Sequence, residues 1–137
     1  AFRVALPIGS HVPFHCTASG KIFMASLPAA RRRAFLASLK LDALTAKTHV
    51  EIDTLADELV KVRSAGYSLD DEEFHDAMVA IAVPVNDMTG RFYAALAVHG
   101  PTQRFNLDAA LKSRELLHGH AARISQVLFA VGDSSGG

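Results

Sequence analysis

Val12-Pro13-Phe14-His15-Cys16-Thr17-Ala18-Ser19-Gly20-Lys21-Ile22-Phe23-Met24-Ala25 is the stretch on which the reading of this chain turns. An extended lead-in ends at Pro13, and a helical pattern starts after Thr17 with Ile22, Phe23 and Met24 on its buried side. Thr17 has the chemistry of an N-cap, because its hydroxyl can accept an orphan amide two or three residues on. Ala18, Ser19 and Gly20 are small, so the first turn can be approached closely. Orphan amides at the positive end of a helix favour an anion, most simply a carboxylate. An ordinary capped helix accounts for the same residues, and these alone favour that reading over an anion site.

Working outward, residues 2–6 alternate as a strand does, and Pro7, Gly9 and Ser10 close it. Pro28 sits where a first helical turn tolerates it and opens a second helix running to Leu39. Arg31-Arg32-Arg33 reads as the solvated face of that helix. A loop over residues 40–50 carries Thr45 and Thr48. Asp53 then caps a helix with Leu55, Leu59 and Val62 at helical spacing, stopped by Gly66. Residues 67–69 suggest a short strand leading into the acidic turn Asp70-Asp71-Glu72-Glu73. Residues 79–85 form a buried strand, Asn86-Asp87-Met88-Thr89-Gly90 a hairpin connection, and residues 91–98 the returning strand. From Asn106, Leu107, Leu111, Leu117, Ala121, Ile124 and Leu128 make one stripe of roughly seven helical turns. Residues 1–131 make one domain, and 132–137 a small-residue tail without core-forming content. The order is α+β, an antiparallel sheet beside helices.

The chain has 137 residues, half of them hydrophobic, enough for one domain that buries roughly two-thirds of its unfolded surface. Fourteen basic and fourteen acidic residues cancel. That balance lacks the electrostatic footprint of a nucleic-acid surface, so these residues are not expected to grip DNA themselves. One cysteine excludes an internal disulfide and fits a reducing, cytoplasmic setting. No apolar run reaches membrane-spanning length, and no basic-then-apolar export signal opens the chain. It starts in mid-pattern and reads as a fragment.

Four motifs in order give a family resemblance. His15-Cys16-Thr17-Ala18-Ser19-Gly20-Lys21 resembles the h-x-x-A-x-G-K signature of the effector-binding domain of IclR-type transcription regulators. Thr48, Leu55 to Leu59, Val62-Arg63, Gly66-Tyr67-Ser68 and the four acids resemble its second block. Ile81-Ala82-Val83-Pro84-Val85 and the segment from Ala94 to Pro101 are similar to two of its strands. The resemblance implies a GAF- or profilin-like sheet flanked by helices. It implies a sensor of a small organic acid, assembled as a dimer or tetramer, with DNA bound through a separate N-terminal winged helix-turn-helix not present here. The expected ligand residues are Ala18, Ser19 and Gly20 for the carboxylate, Asp70 at the pocket mouth, and Ala80, Ala97 and His99 as walls. Related domains often carry thiol or hydroxyl side chains at such wall positions, so alanine here implies an acid with an apolar or aromatic body. The four acids otherwise read as a solvated turn, since repulsion and desolvation forbid burying them all.

Other chemistries fit less well. Among seven histidines no pair has zinc-protease spacing, and one cysteine makes no thiolate cage. The resemblance brings the segments of His15, His75 and His99 towards one cavity, so these three, with Asp70 or Asp76, form a secondary zinc or nickel alternative. Cys16 beside His15 fails as a nucleophile, because neighbouring residues point apart and nothing orients the base. No enzyme and no cofactor are expected. A GAF-like assembly module without a ligand is the alternative from a different class.

Overall fold

In a computed structural model, residues 13–130 are described. They run α1 (Ala18–Ser26), α2 (Ala29–Ser38), α3 (Ile52–Ala65), β1 (Ser68–Asp71), β2 (Met78–Asn86), β3 (Phe92–Pro101), α4 (Leu107–Lys112) and α5 (Arg114–Phe129). The three strands form an antiparallel sheet in the order β1-β2-β3. The expected strand at residues 2–6 and the tail at 132–137 lie outside the described residues.

Strand β2 is central and apolar along most of its length, as a strand buried on both faces must be. Its side chains alternate between two cores. Val79, Ile81, Val83 and Val85 pack with Ala110, Leu117 and Ala121 of α4 and α5. Ala82 faces the other way, onto Ile22, Met24, Leu55 and Leu59 of α1 and α3, where Ala80 joins from the margin. The arrangement is α+β with helices on both sides of the sheet. The small alanines of the second face let α1 approach β2 closely.

Local chemistry sets the ends of the elements. Helix α3 stops where Gly66 takes φ +80°, and its amide returns to the Val62 carbonyl at 2.8 Å. In the β2–β3 hairpin, Asp87 Oδ1 accepts from the Thr89 hydroxyl at 2.7 Å and from the Thr89 and Arg91 amides. Those bonds hold its carboxyl below the usual range, with the Thr89 hydroxyl contributing most.

Three expectations are corrected. Glu51, not Asp53, is the N-cap of α3, without a side-chain capping bond, and Asp53 lies in the first turn. The helical stripe from Asn106 is broken at Ser113, whose hydroxyl bonds the Ala110 carbonyl at 2.7 Å and competes with the helical ladder. Strand β1 continues through Asp70 and Asp71, so half of the acidic run is sheet and not turn.

Candidate functional site

Thr17 builds the start of α1. Its hydroxyl donates to the Pro13 carbonyl at 2.8 Å and accepts from the Gly20 amide at 3.0 Å. The Lys21 amide goes to the Thr17 carbonyl. The amides of Ala18 and Ser19 occupy the first two helical positions, which have no intrahelical acceptor. From below, the Ser68 hydroxyl of β1 holds the Ala18 carbonyl at 2.5 Å. The helix start is thus tied to the sheet before anything binds.

Sheet register supplies the opposite wall. Asp70 pairs with Ala80, and Ala80 with His99, so these three form one row across the three strands. Ser68, Ala82 and Ala97 make the next row. Between the rows and α1 lies a cavity of about 220 Å³. Ala18, Ser19, Asp70, Ala80, Ala97 and His99 all line it, with Thr17, Phe74 and Met78 among the others.

Two residues named from the sequence lie elsewhere. Gly20 does not line the cavity, and its amide is already taken by Thr17. A Cβ there would lie 2.4 Å from the Phe14 carbonyl oxygen, so this glycine lets the lead-in cross the helix. His15 is buried against the Asp42 carbonyl, 2.8 Å from its Nε2, outside the cavity lining. The His15, His75 and His99 metal set is therefore not assembled. His75 and His99 do line the cavity, with His75 Nδ1 2.8 Å from the Asp76 carbonyl oxygen.

The four acids divide by position. Asp70 and Glu73 are buried, while Lys47 meets Asp71 at 3.6 Å and Glu72 at 3.3 Å. Asp70 Oδ1 accepts the Glu73 amide at 2.8 Å and the Phe74 amide at 3.3 Å. Burial pushes its carboxyl up from 3.8 to about 6, against the lowering effect of the Glu73 amide bond. Such a group is partly protonated near neutral pH and can donate to a ligand oxygen through Oδ2. The Thr45 and Thr48 hydroxyls pin the acidic segment by donating to the Glu72 and Glu73 carbonyls, each at 2.6 Å.

Behind Asp70 stands a group that sequence reading did not single out. Lys21 is fully buried, with Nζ 2.8 Å from both Glu58 Oε2 and Glu73 Oε1. His49 Nε2 is 3.0 Å from the same Glu58 oxygen. Among the described residues, His49, Glu58 and Glu73 form the one cluster whose donor atoms converge closely enough for a metal. The Lys21 ammonium already contacts both carboxylates, so the charge a cation would supply is built into the chain. Cys16 is buried, and burial raises its thiol from 9.0 to about 12, with Asp70 and Glu73 adding to the shift. That removes its nucleophilic form.

The comparisons with known proteins agree on family. Residues 1–126 match the family described as bacterial transcriptional regulator IclR C-terminal. The transcriptional regulator SauR of Cupriavidus necator is 42% identical over 106 residues, covering 77% of this chain and 42% of that protein. The repressor AllR of Klebsiella pneumoniae is 32% identical over 126 residues, covering 92% and 46%. This chain therefore spans less than half the length of these curated relatives. The inducer-binding domain of PobR from Acinetobacter, solved as a double mutant with 3-hydroxybenzoic acid, superposes with a TM-score of 0.84 at 27% identity. That match covers 93% of this chain and 75% of the solved one. The family is one of transcription regulators and not of enzymes, and among the described residues no helix is long and apolar enough to cross a membrane. With the sheet, the motifs and the matched residues in agreement, this chain belongs to the IclR family of bacterial transcription regulators, as its C-terminal domain.

Proposed function

We propose that this domain senses a small organic acid in the cavity at the start of α1 and relays its binding to a DNA-binding region of the full regulator. One observation carries the reading: free helix amides and the Asp70–Ala80–His99 row face each other across about 220 Å³. The ligand carboxylate sits on the Ala18 and Ser19 amides. Its body lies against Phe74, Met78 and Ala80, and one polar substituent reaches Asp70 or His99. Ala80 and Ala97 offer no hydrogen bonds, so a heavily hydroxylated or very small oxo-acid would bury unpaired groups at about 1–3 kcal/mol each. A one-ring acid matches the space better, and the 3-hydroxybenzoic acid in the PobR domain is of that class. Binding shifts the regulator only as far as the two conformations differ in affinity for the acid.

Calorimetric titration with 3-hydroxybenzoate and with pyruvate tests this. The aromatic acid should bind more tightly, and His99→Ala should weaken it about tenfold, the loss of one hydrogen bond of about 1.4 kcal/mol. Tighter pyruvate binding, or indifference to the histidine change, refutes the assignment of the walls.

A second reading, assembly without a ligand, is favoured by the apolar groove between β3 and α5. Leu96, Val98, Ile124 and Leu128 line it, with Val127 68% exposed on its rim. A second copy of the chain is the occupant it suits, making a homodimer or a higher oligomer. Sedimentation of Val127→Asp measures that reading separately from ligand binding.

A further inference from the structure

Helix α1 has a second cavity at its other end, about 13 Å from the first by helix rise alone. Its volume is about 770 Å³, and Arg31, Arg63 and Arg91 line it without a single Asp or Glu. In a chain whose charges balance, three arginines lining one hollow with no acidic residue among its walls are a segregation of charge. Among the described residues, none of the three has a carboxylate within 4 Å.

The arginines come from separate places in the chain: the first turn of α2, the last turn of α3 and the hairpin residue just before β3. Arg63 is held in place, with Nη1 donating to the Ala25 and Leu27 carbonyls at 2.9 and 3.0 Å. Arg91 follows the hairpin, where its main-chain amide is fixed by Asp87 Oδ1 at 3.0 Å. Asp87 also feels the Arg91 charge, as the weakest of the influences that lower its carboxyl. One wall is apolar, formed by Ile22 with Phe23 and Phe92, whose rings lie 5.7 Å apart edge to face.

We propose that this cavity is a second ligand site, for a multiply charged organic anion of the phosphate-ester class. The phosphate lies among the three guanidinium groups, and the organic part rests on the Phe23 and Phe92 wall. Arginine cannot shed its charge, and its planar fork matches phosphate oxygens two at a time. A monocarboxylate would leave most of that positive charge unbalanced, whereas a phosphate ester brings up to two negative charges. The hollow shape and aromatic wall fit a small molecule better than a DNA backbone, and the balanced net charge supplies no long-range pull on nucleic acid.

Phenyl phosphate is the probe. Titrated into the protein by calorimetry at low salt, it should bind, while phenol should not. Arg31→Ala and Arg91→Ala should each weaken binding about tenfold, as expected for loss of a charge-assisted contact. Both residues are exposed and make no carbonyl bonds of the Arg63 kind, so these variants should fold, which circular dichroism checks. The Phe23 and Phe92 ring resonances should shift on binding, and excess 3-hydroxybenzoate should not displace the ester. Absence of binding, indifference to both arginine changes, or displacement by 3-hydroxybenzoate overturns the proposal. Displacement by a duplex oligonucleotide also overturns it, by showing a backbone contact.

Discussion

Lys21 Nζ lies 2.8 Å from Glu73 Oε1, with the lysine fully buried and the glutamate side chain only 6% exposed. One charge thereby joins α1 to the segment after β1, and Glu58 adds α3 to the same point. The Glu73 amide also holds Asp70, so the cavity wall and the ion pair share a residue. Removing one partner of a buried pair strands the other. Lys21→Met should therefore cost about 3–5 kcal/mol in urea unfolding. Adding Glu73→Gln should recover part of that loss, and strict additivity of the two changes would refute the coupling.

Asp70 should make stability fall as pH rises. Its folded carboxyl titrates at about 6 against 3.8 when free, so the folded state holds the extra proton between those values. Unfolding releases that proton, and the slope of stability against pH is negative across this window and flat above it. Asp70→Asn keeps an oxygen for the Glu73 and Phe74 amides and removes the charge. The variant should be roughly 1–3 kcal/mol more stable than its parent near pH 8, with the gap closing below about pH 4. Equal slopes for the two proteins would place the titration elsewhere.

Gly20→Ala is expected to be costly although alanine suits a helix. The added Cβ would lie 2.4 and 2.5 Å from backbone atoms of Phe14, which no rotamer change relieves. Overpacking of this kind costs about 1–3 kcal/mol and should displace the residues that lead into Thr17. Thermal unfolding measures it, and a melting temperature at or above that of the parent would refute the close approach.

Cys16 should resist thiol reagents in the folded protein. With its thiol pushed to about 12, roughly one molecule in ten thousand carries the thiolate near pH 8. Labelling should follow the unfolding rate and accelerate sharply in urea. Rapid labelling of native protein would contradict the burial.

Much of this architecture is legible in the residues. Thr17 and the apolar spacing after it predict where α1 begins, and Gly66 marks the end of α3. The small and charged residues at 86–90 mark the hairpin. Local patterns fail where a distant partner decides. Arg31 is exposed, as its basic run suggests, but nothing nearby in sequence announces that Arg63 and Arg91 line the same hollow. Nothing near Lys21 in sequence announces its burial, because its partners Glu58 and Glu73 lie 37 and 52 positions away. Gly20 was expected to admit a ligand, and it admits the backbone of Phe14. The Ser113 break is written in one hydroxyl inside an otherwise regular stripe.

On the function proposed above, the alternation along β2 bears on how a sensor of this build can change its ligand over evolutionary time. Odd-numbered positions from Val79 to Val85 secure the sheet to α4 and α5, while Ala80 looks onto the cavity. Heredity can therefore edit recognition and durability at adjacent codons with little cross-talk. A lineage that swaps Ala80 or Ala97 for a hydroxyl residue acquires a new chemical vocabulary, and the far side of the sheet keeps its foundation intact.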